Sequence, residues 1–187
     1  MAVWATRSLP PSIGAAYIYR TFTPPELSLL LSELLSTERV RVPLGSHSKA
    51  ELLRELVRLA VGDADEVTVG GILAAVEARE AQVITAMGGG LAVPHGRTDL
   101  VPEVRVAAGL VRDVPDYVAL DGSPVRVAFL VLTPASASGQ HVKVLSRIAR
   151  LMHDPESRDA LLASTSADEF MRVVLLSTGA PRREPLT

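Results

Sequence analysis

The chain of 187 residues contains no cysteine. That excludes a disulfide framework, a zinc–thiolate site and a thiol nucleophile, and it fits a reducing, cytoplasmic compartment. Lysine is almost as scarce: Lys49 and Lys143 are the only two, and arginine carries the remaining positive charge. Aromatic residues make up 4% of the chain, too few for a base-stacking platform. The formal net charge is −2 with no polybasic run, so nothing advertises nucleic acid or an anionic membrane surface. No apolar run reaches the ~20 residues of a membrane-spanning helix. In the first 22 residues, a short apolar piece from Ile13 to Tyr19 lies between Arg7, Pro10, Pro11 and Arg20. That is a poor signal peptide. Residues 1–22 are therefore expected to be a loose N-terminal extension.

What is present is globular. Hydrophobic residues make up 48% of the chain and charged ones 21%, and the length allows one domain with a sizeable core. Thr23-Pro24-Pro25-Glu26 has the pattern of a helix start, followed by a stripe at Leu27, Leu30, Leu31, Leu34 and Leu35. Val40 to Val42 alternates and predicts a short strand, ended by Pro43. Ser48 to Glu51 is a capping box ahead of Leu52, Leu53, Leu56, Val57 and Ala60. Thr68 is the expected cap of a third helix, with Ile72, Leu73 and Val76 inward and an end near Arg79-Glu80. Leu91–Val93, Val104–Val111 and Val125–Leu132 read as strands. A helix is expected from about Ser138, with Val142, Leu145, Ile148, Ala149 and Met152 inward. Asp154-Pro155-Glu156 starts a further helix, and Ser166 to Glu169 is another capping box, ahead of Phe170, Val173 and Val174. Helices and strands interleave without internal repeat, so the expectation is one α/β domain, a small sheet with helices packed against it.

Few residues can carry chemistry. Of the four histidines, His47 in Gly45-Ser46-His47-Ser48-Lys49 reads as a loop residue, and His153 at a helix end is explained by the helix dipole. His95 differs. It ends the stretch Gly88-Gly89-Gly90-Leu91-Ala92-Val93-Pro94 and precedes Gly96 and Arg97. The proline stiffens the approach and the glycine permits a tight bend, so the imidazole is expected on a turn, fixed yet reachable. His141, in the first turn of its helix, follows the strand 125–132 and could share the same sheet rim. A metal site would need a third ligand, such as Asp99, and the spacing fits no metal pattern, so no metal or cofactor is expected. Acyl transfer lacks a Gly-x-Ser-x-Gly nucleophile. The remaining option makes His95 itself the nucleophile toward phosphorus. Arg79, Arg97, His141 and the amides of the glycine-rich stretch would then supply positive charge to the phosphoryl oxygens.

These residues also resemble a known family. Arg79-Glu80, Thr85, Gly88, Gly90 and then Leu91-Ala92-Val93-Pro94-His95-Gly96 are similar to the enzyme IIA domain of the fructose–mannitol (type 2) class of the bacterial phosphoenolpyruvate:sugar phosphotransferase system, which includes a nitrogen-regulatory branch. The run Asp121 to Pro134 and the run His141 to Met152 agree with the same pattern, Val142 standing where the family has leucine. The resemblance extends from about Leu27 to about Leu176. It implies a mixed β-sheet flanked by α-helices, with the domain at residues 23–178 and a tail at 179–187. It implies that His95 is the phosphoacceptor, through Nε2, with His141 and Arg79 in the active site. Thr85 takes the place of a small hydroxyl that helps bind the phosphoryl group, with Gly96 and Arg97 beside it. The implied donor is the phosphorylated histidine-containing carrier protein. The implied acceptor is a cysteine of enzyme IIB on a separate chain, or else a regulated protein takes its place in the nitrogen-related branch. The implied activity is that of a phosphotransferase with a phosphohistidine intermediate.

Overall fold

A computed structural model of the chain describes residues 30–179 apart from residues 113 and 120. The expected helix start at Thr23, the extension 1–22 and the tail from residue 180 lie outside the described residues. The described elements are α1 (Leu31–Leu34), β1 (Val40–Arg41), α2 (Lys49–Val61), α3 (Glu66–Gln82), β2 (Ala86–Gly88), β3 (Leu91–Ala92), β4 (His95–Arg97), β5 (Arg105–Leu110), β6 (Val127–Thr133), α4 (Ser138–His153), α5 (Pro155–Leu162) and α6 (Ala167–Gly179). The strands form one six-stranded mixed sheet in the order β1-β5-β6-β3-β2, with β4 also paired to β6. β1 runs parallel to β5, β5 antiparallel to β6, and β3 and β4 both parallel to β6. This is the mixed sheet flanked by helices that the sequence led us to expect.

Side-chain alternation along the strands divides the core in two. Ala107, Ala128, Leu130 and Leu132 face Leu52, Leu56, Ile72 and Val76 of α2 and α3. Val106, Ala108, Phe129 and Val131 face Val144, Ile148, Phe170 and Val174 of α4 and α6. β6, the central strand, is buried along its whole length, which is why its sequence is a continuous apolar run rather than an alternating one.

Three local expectations need correction. Asp65, not Thr68, caps α3: its side chain accepts the Thr68 amide, and the helix continues beyond Arg79-Glu80 to Gln82. In α4 the buried residues are His141, Val144, Ile148, Leu151 and Met152, while Val142 is 62% exposed. The stripe is thus rotated from the one expected, because a polar residue, His141, occupies an inward position. The Ser166 box is only half made. Ser166 Oγ accepts the Glu169 amide at 3.2 Å, but the Glu169 carboxylate reaches back to Thr165 instead.

The glycine-rich stretch forms the turn between β2 and β3. Gly88, Gly89 and Gly90 all have positive φ (108°, 60° and 76°), a conformation that side chains oppose. The turn is pinned from the segment before β6. The Gly89 amide donates to Asp121 at 2.9 Å and the Gly90 amide to Ser123 at 3.3 Å. Bonds from Ser123 and the Gly89 amide hold the Asp121 carboxyl down at about 2. These two glycine amides, expected to face a phosphoryl group, are therefore already engaged.

Candidate functional site

His95 is not on a turn but is the first residue of β4. Register explains the placement. Leu91 pairs with Val127 and Ala92 with Ala128, while His95 pairs with Val131 and Gly96 with Leu132. The offset is constant, so β3 and β4 are one strand. Pro94, which has no N–H, interrupts its ladder, yet the Pro94 carbonyl still accepts the Val131 amide at 3.0 Å. Alternation then decides which way each residue points. Leu91 and Val93 belong to the α4 side and Ala92 to the α2–α3 side. By the same parity His95 and Arg97 point toward the α4 side, and Gly96 points toward α3. A Cβ on Gly96 would lie 3.0 Å from Val76 Cγ2 and 3.3 Å from the Val76 amide nitrogen. Gly96 is thus a contact glycine, not a bend.

The α4 side brings His141 to His95, with ring centroids 5.1 Å apart and planes tilted by 59°. The strand end supports both rings. His95 Nδ1 lies 2.8 Å from the Val93 carbonyl, which can only accept, so Nδ1 carries the proton and Nε2 a lone pair. His141 Nδ1 lies 2.6 Å from the hydroxyl of Thr133, the last residue of β6. His95 is half-buried and His141 buried.

The electrostatics keep both rings neutral. Burial lowers the His95 pKa, the Val93 bond opposes this, and the Arg79 and Arg97 cations lower it further. Burial pulls His141 down to about 4, helped by His95, Arg97 and Arg79. Arg79, in the last turn of α3, and exposed Arg97 on β4 are therefore close enough to be felt at both imidazoles. Among the described residues, the Arg79 guanidinium makes one loose contact, 3.5 Å, with the Val83 carbonyl. Asp99 accepts the Ala135 amide at 2.9 Å, outside the histidine pair.

Thr85 is buried on the other side of the hairpin. Its hydroxyl donates to the Glu80 carboxylate and lies 2.9 Å from the Tyr117 hydroxyl. Lys49 Nζ lies 2.9 Å from Glu80 Oε1 and 4.6 Å from the Tyr117 ring centroid. Sequence reasoning did not single out Thr133, Tyr117 or Lys49, nor give Glu80 a role. The one visible signal was a polar residue closing the apolar run of β6.

The low His141 pKa has a testable consequence. A histidine takes up protons near pH 6.5 when unfolded but resists until about pH 4 when folded. Between these values the unfolded chain binds more protons, so stability is full above pH 6.5 and falls as pH drops toward 4. Urea unfolding at pH 7.5, 6 and 5 should show a loss of up to about 2 kcal/mol over this range. His141→Gln should flatten the slope; an unchanged slope would contradict the assignment.

A family model described as "Phosphoenolpyruvate-dependent sugar phosphotransferase system, EIIA 2" matches residues 33–176. The chain is 35% identical to a nitrogen regulatory protein of Bradyrhizobium diazoefficiens over 152 residues, covering 78% of this chain and 95% of that one. It is 31% identical to the mannitol-specific phosphotransferase enzyme IIA component of Staphylococcus aureus over 143 residues, covering 76% and 96%. It is 28% identical to the fructose-specific EIIABC component of Bacillus subtilis, spanning 77% of this chain but only 23% of that protein. Among solved structures, the nitrogen regulatory protein IIA-Ntr of Neisseria meningitidis superposes with a TM-score of 0.70 at 29% identity, covering 78% of this chain and 99% of that one.

Proposed function

The chain belongs to the phosphoenolpyruvate-dependent sugar phosphotransferase system EIIA 2 family, and from that premise we propose that it is a phosphocarrier whose acceptor atom is Nε2 of His95. The observation that carries this reading is the bond from His95 Nδ1 to the Val93 carbonyl, 2.8 Å long, which leaves Nε2 as a lone pair beside His141. The donor is the phosphorylated histidine-containing carrier protein. The His95 Nε2 lone pair attacks phosphorus in line; the Nε2–P bond forms as the donor N–P bond breaks, and the donor ring leaves with that electron pair. No proton need move, since His95 keeps its Nδ1 proton on Val93, whose carbonyl steadies the charge that builds on the ring. The transferring group spreads negative charge over three oxygens. Arg79 and Arg97 supply fixed positive charge to it, and His141 donates through Nε2 when its Nδ1 accepts from Thr133. Gly96 keeps the strand close to α3. Thr85, with its one proton given to Glu80, would have to turn to reach a phosphoryl oxygen.

In sugar uptake the next acceptor is a IIB cysteine, which lies outside these 187 residues since none is present. Among the described residues no helix is long and apolar enough to cross a membrane; we place the exchange in the cytoplasm. The second reading is regulation by phosphorylation-dependent protein binding. It is favoured by the match to nitrogen regulatory proteins in both sequence and structure.

The test is incubation with phosphoenolpyruvate and the two general phosphotransferase proteins. An acid-labile phosphate on His95 is the expected result, and label on another residue would overturn the reading. Transfer onward to a cognate IIB supports uptake; retention of the label supports regulation. His141→Ala should still be labelled, about a hundredfold more slowly, as measured by the rate of phosphate incorporation.

A further inference from the structure

A chain of hydrogen bonds reaches His95 from the side away from the phosphoryl group. Glu80 Oε1 accepts the Thr85 amide at 3.3 Å. The Thr85 carbonyl accepts the Val93 amide at 3.0 Å. The Val93 carbonyl accepts the His95 Nδ1 proton at 2.8 Å. A carboxylate thus stands three bonds behind the ring nitrogen that does not react. We infer that Glu80 is a positioning residue for His95, acting through Thr85 and Val93 without touching the phosphoryl group. The inference rests on the phosphocarrier reading and adds a residue to it.

Glu80 is 7% exposed, and a carboxylate so placed is costly unless it is paired. Burial pushes its carboxyl up, but bonds from Thr85 and from Lys49 outweigh this and hold it below the usual range, so it is ionised. Lys49 comes from α2, whose first amide is in turn fixed by Asp116 at 2.9 Å. Three segments far apart in sequence therefore converge on one carboxylate that the transfer chemistry does not use directly. A purely structural role would be met as well by an apolar side chain of similar volume. An ionised carboxylate does something further. Its bond to the Thr85 amide fixes the backbone that in turn fixes Val93, and so aims the carbonyl that takes the Nδ1 proton. That selects the tautomer with the lone pair on Nε2. Its charge also reaches the ring directly, countering the Arg79 and Arg97 cations. The charged groups felt at His95 are thus Arg79 and Glu80 from α3 and Arg97 from β4, with the His141 ring of α4 beside it; those facing Glu80 are Lys49, Thr85 and Tyr117.

The test compares Glu80→Gln with Glu77→Gln. Glu80→Gln keeps the shape and an oxygen for the Thr85 amide but removes the charge. Nitrogen-15 NMR of the His95 ring, with no donor present, should show a lowered titration midpoint and a gain of the Nε2–H tautomer. The rate of phosphorylation by the phosphorylated carrier should fall about tenfold, with KM for the carrier changed less than about twofold. Glu77→Gln removes the same charge from an exposed position one turn earlier in α3, and should leave midpoint and tautomer as in the wild type. The inference is overturned by a Glu80→Gln ring that titrates normally, or by Glu77→Gln shifting it equally. If Glu80→Gln does not fold, Lys49→Met gives the opposite reading: less neutralised, Glu80 should raise the midpoint, and no rise would overturn the proposal. A wild-type protein that takes up no phosphate defeats the carrier reading instead, while the ring measurements still decide this one.

Discussion

His95→Ala should take up no phosphate, to below about one part in 10⁴ of the wild-type rate. The size of the effect follows from the arithmetic of the site. Arg79, Arg97 and His141 each stabilise charge on a group in flight, and losing one leaves the others. Losing Nε2 leaves nothing for phosphorus to bond to. His141 is a poor substitute nucleophile, because it is buried and its Nδ1 is held by Thr133. The variant should fold, since the β4 backbone bonds to β6 do not involve the imidazole. A second readout separates loss of the acceptor from collapse of the site. His95 contributes to the depressed pKa of His141, so in His95→Ala the His141 titration should move up toward the ordinary value. Mass spectrometry of the intact protein after incubation with the phosphorylated carrier is the measurement. Undiminished labelling would mean that another residue is the acceptor.

The largest effect on stability is expected at Gly109. This residue of β5 pairs with Arg41 of β1 on one side and Ala128 of β6 on the other. A Cβ there would overlap the Arg41 carbonyl oxygen and lie 2.7 Å from Leu44 Cγ. The first contact is with backbone, so no rotamer change relieves it; β1 must move away from β5. Gly109→Ala should cost about 3 kcal/mol and lower Tm by about 6–12 °C for a chain of this size. Gly70→Ala is the matched control. Gly70 lies inside α3 with nothing within 4 Å of a built Cβ, so alanine should gain about 0.5–1 kcal/mol through helix propensity. Thermal unfolding of the two variants should therefore move in opposite directions. Because Gly109 lies at the end of the sheet away from the histidines, phosphorylation of the surviving folded fraction should be unaffected. Equal Tm for Gly109→Ala and wild type would show that β1 is not closely seated.

Much of the fold was legible because local signals agreed with the tertiary outcome. α2 carries its own cap at Ser48, and all five residues of its expected stripe are buried. β6 reads as a buried strand from its apolar run alone. β4 was not legible, since His-Gly-Arg has no apolar alternation; its strand character comes from continuing the register of β3 along β6. The rotation of α4 was hidden for a related reason, as an inward histidine does not register in a search for apolar stripes. The site divides the same way. His95, His141 and Arg79 stand in motifs that sequence can carry. Thr133 meets His141 only because strand and helix fold together, and Tyr117 meets Thr85 across 32 residues of chain. Glu80 sat in view beside Arg79, but its pairing with Lys49 depends on how α2 and α3 pack.

The single strand shared by β3 and β4 sets a rule about length. Residues 91–97 take turns between two helical layers, so inserting or deleting one residue between Ala92 and His95 would hand the imidazole to α3 and seat Gly96 opposite His141. A change of two would restore the direction but move the ring two places along β6, opposite Thr133 for an insertion and opposite Phe129 for a deletion. This segment can therefore drift in composition far more readily than in residue count.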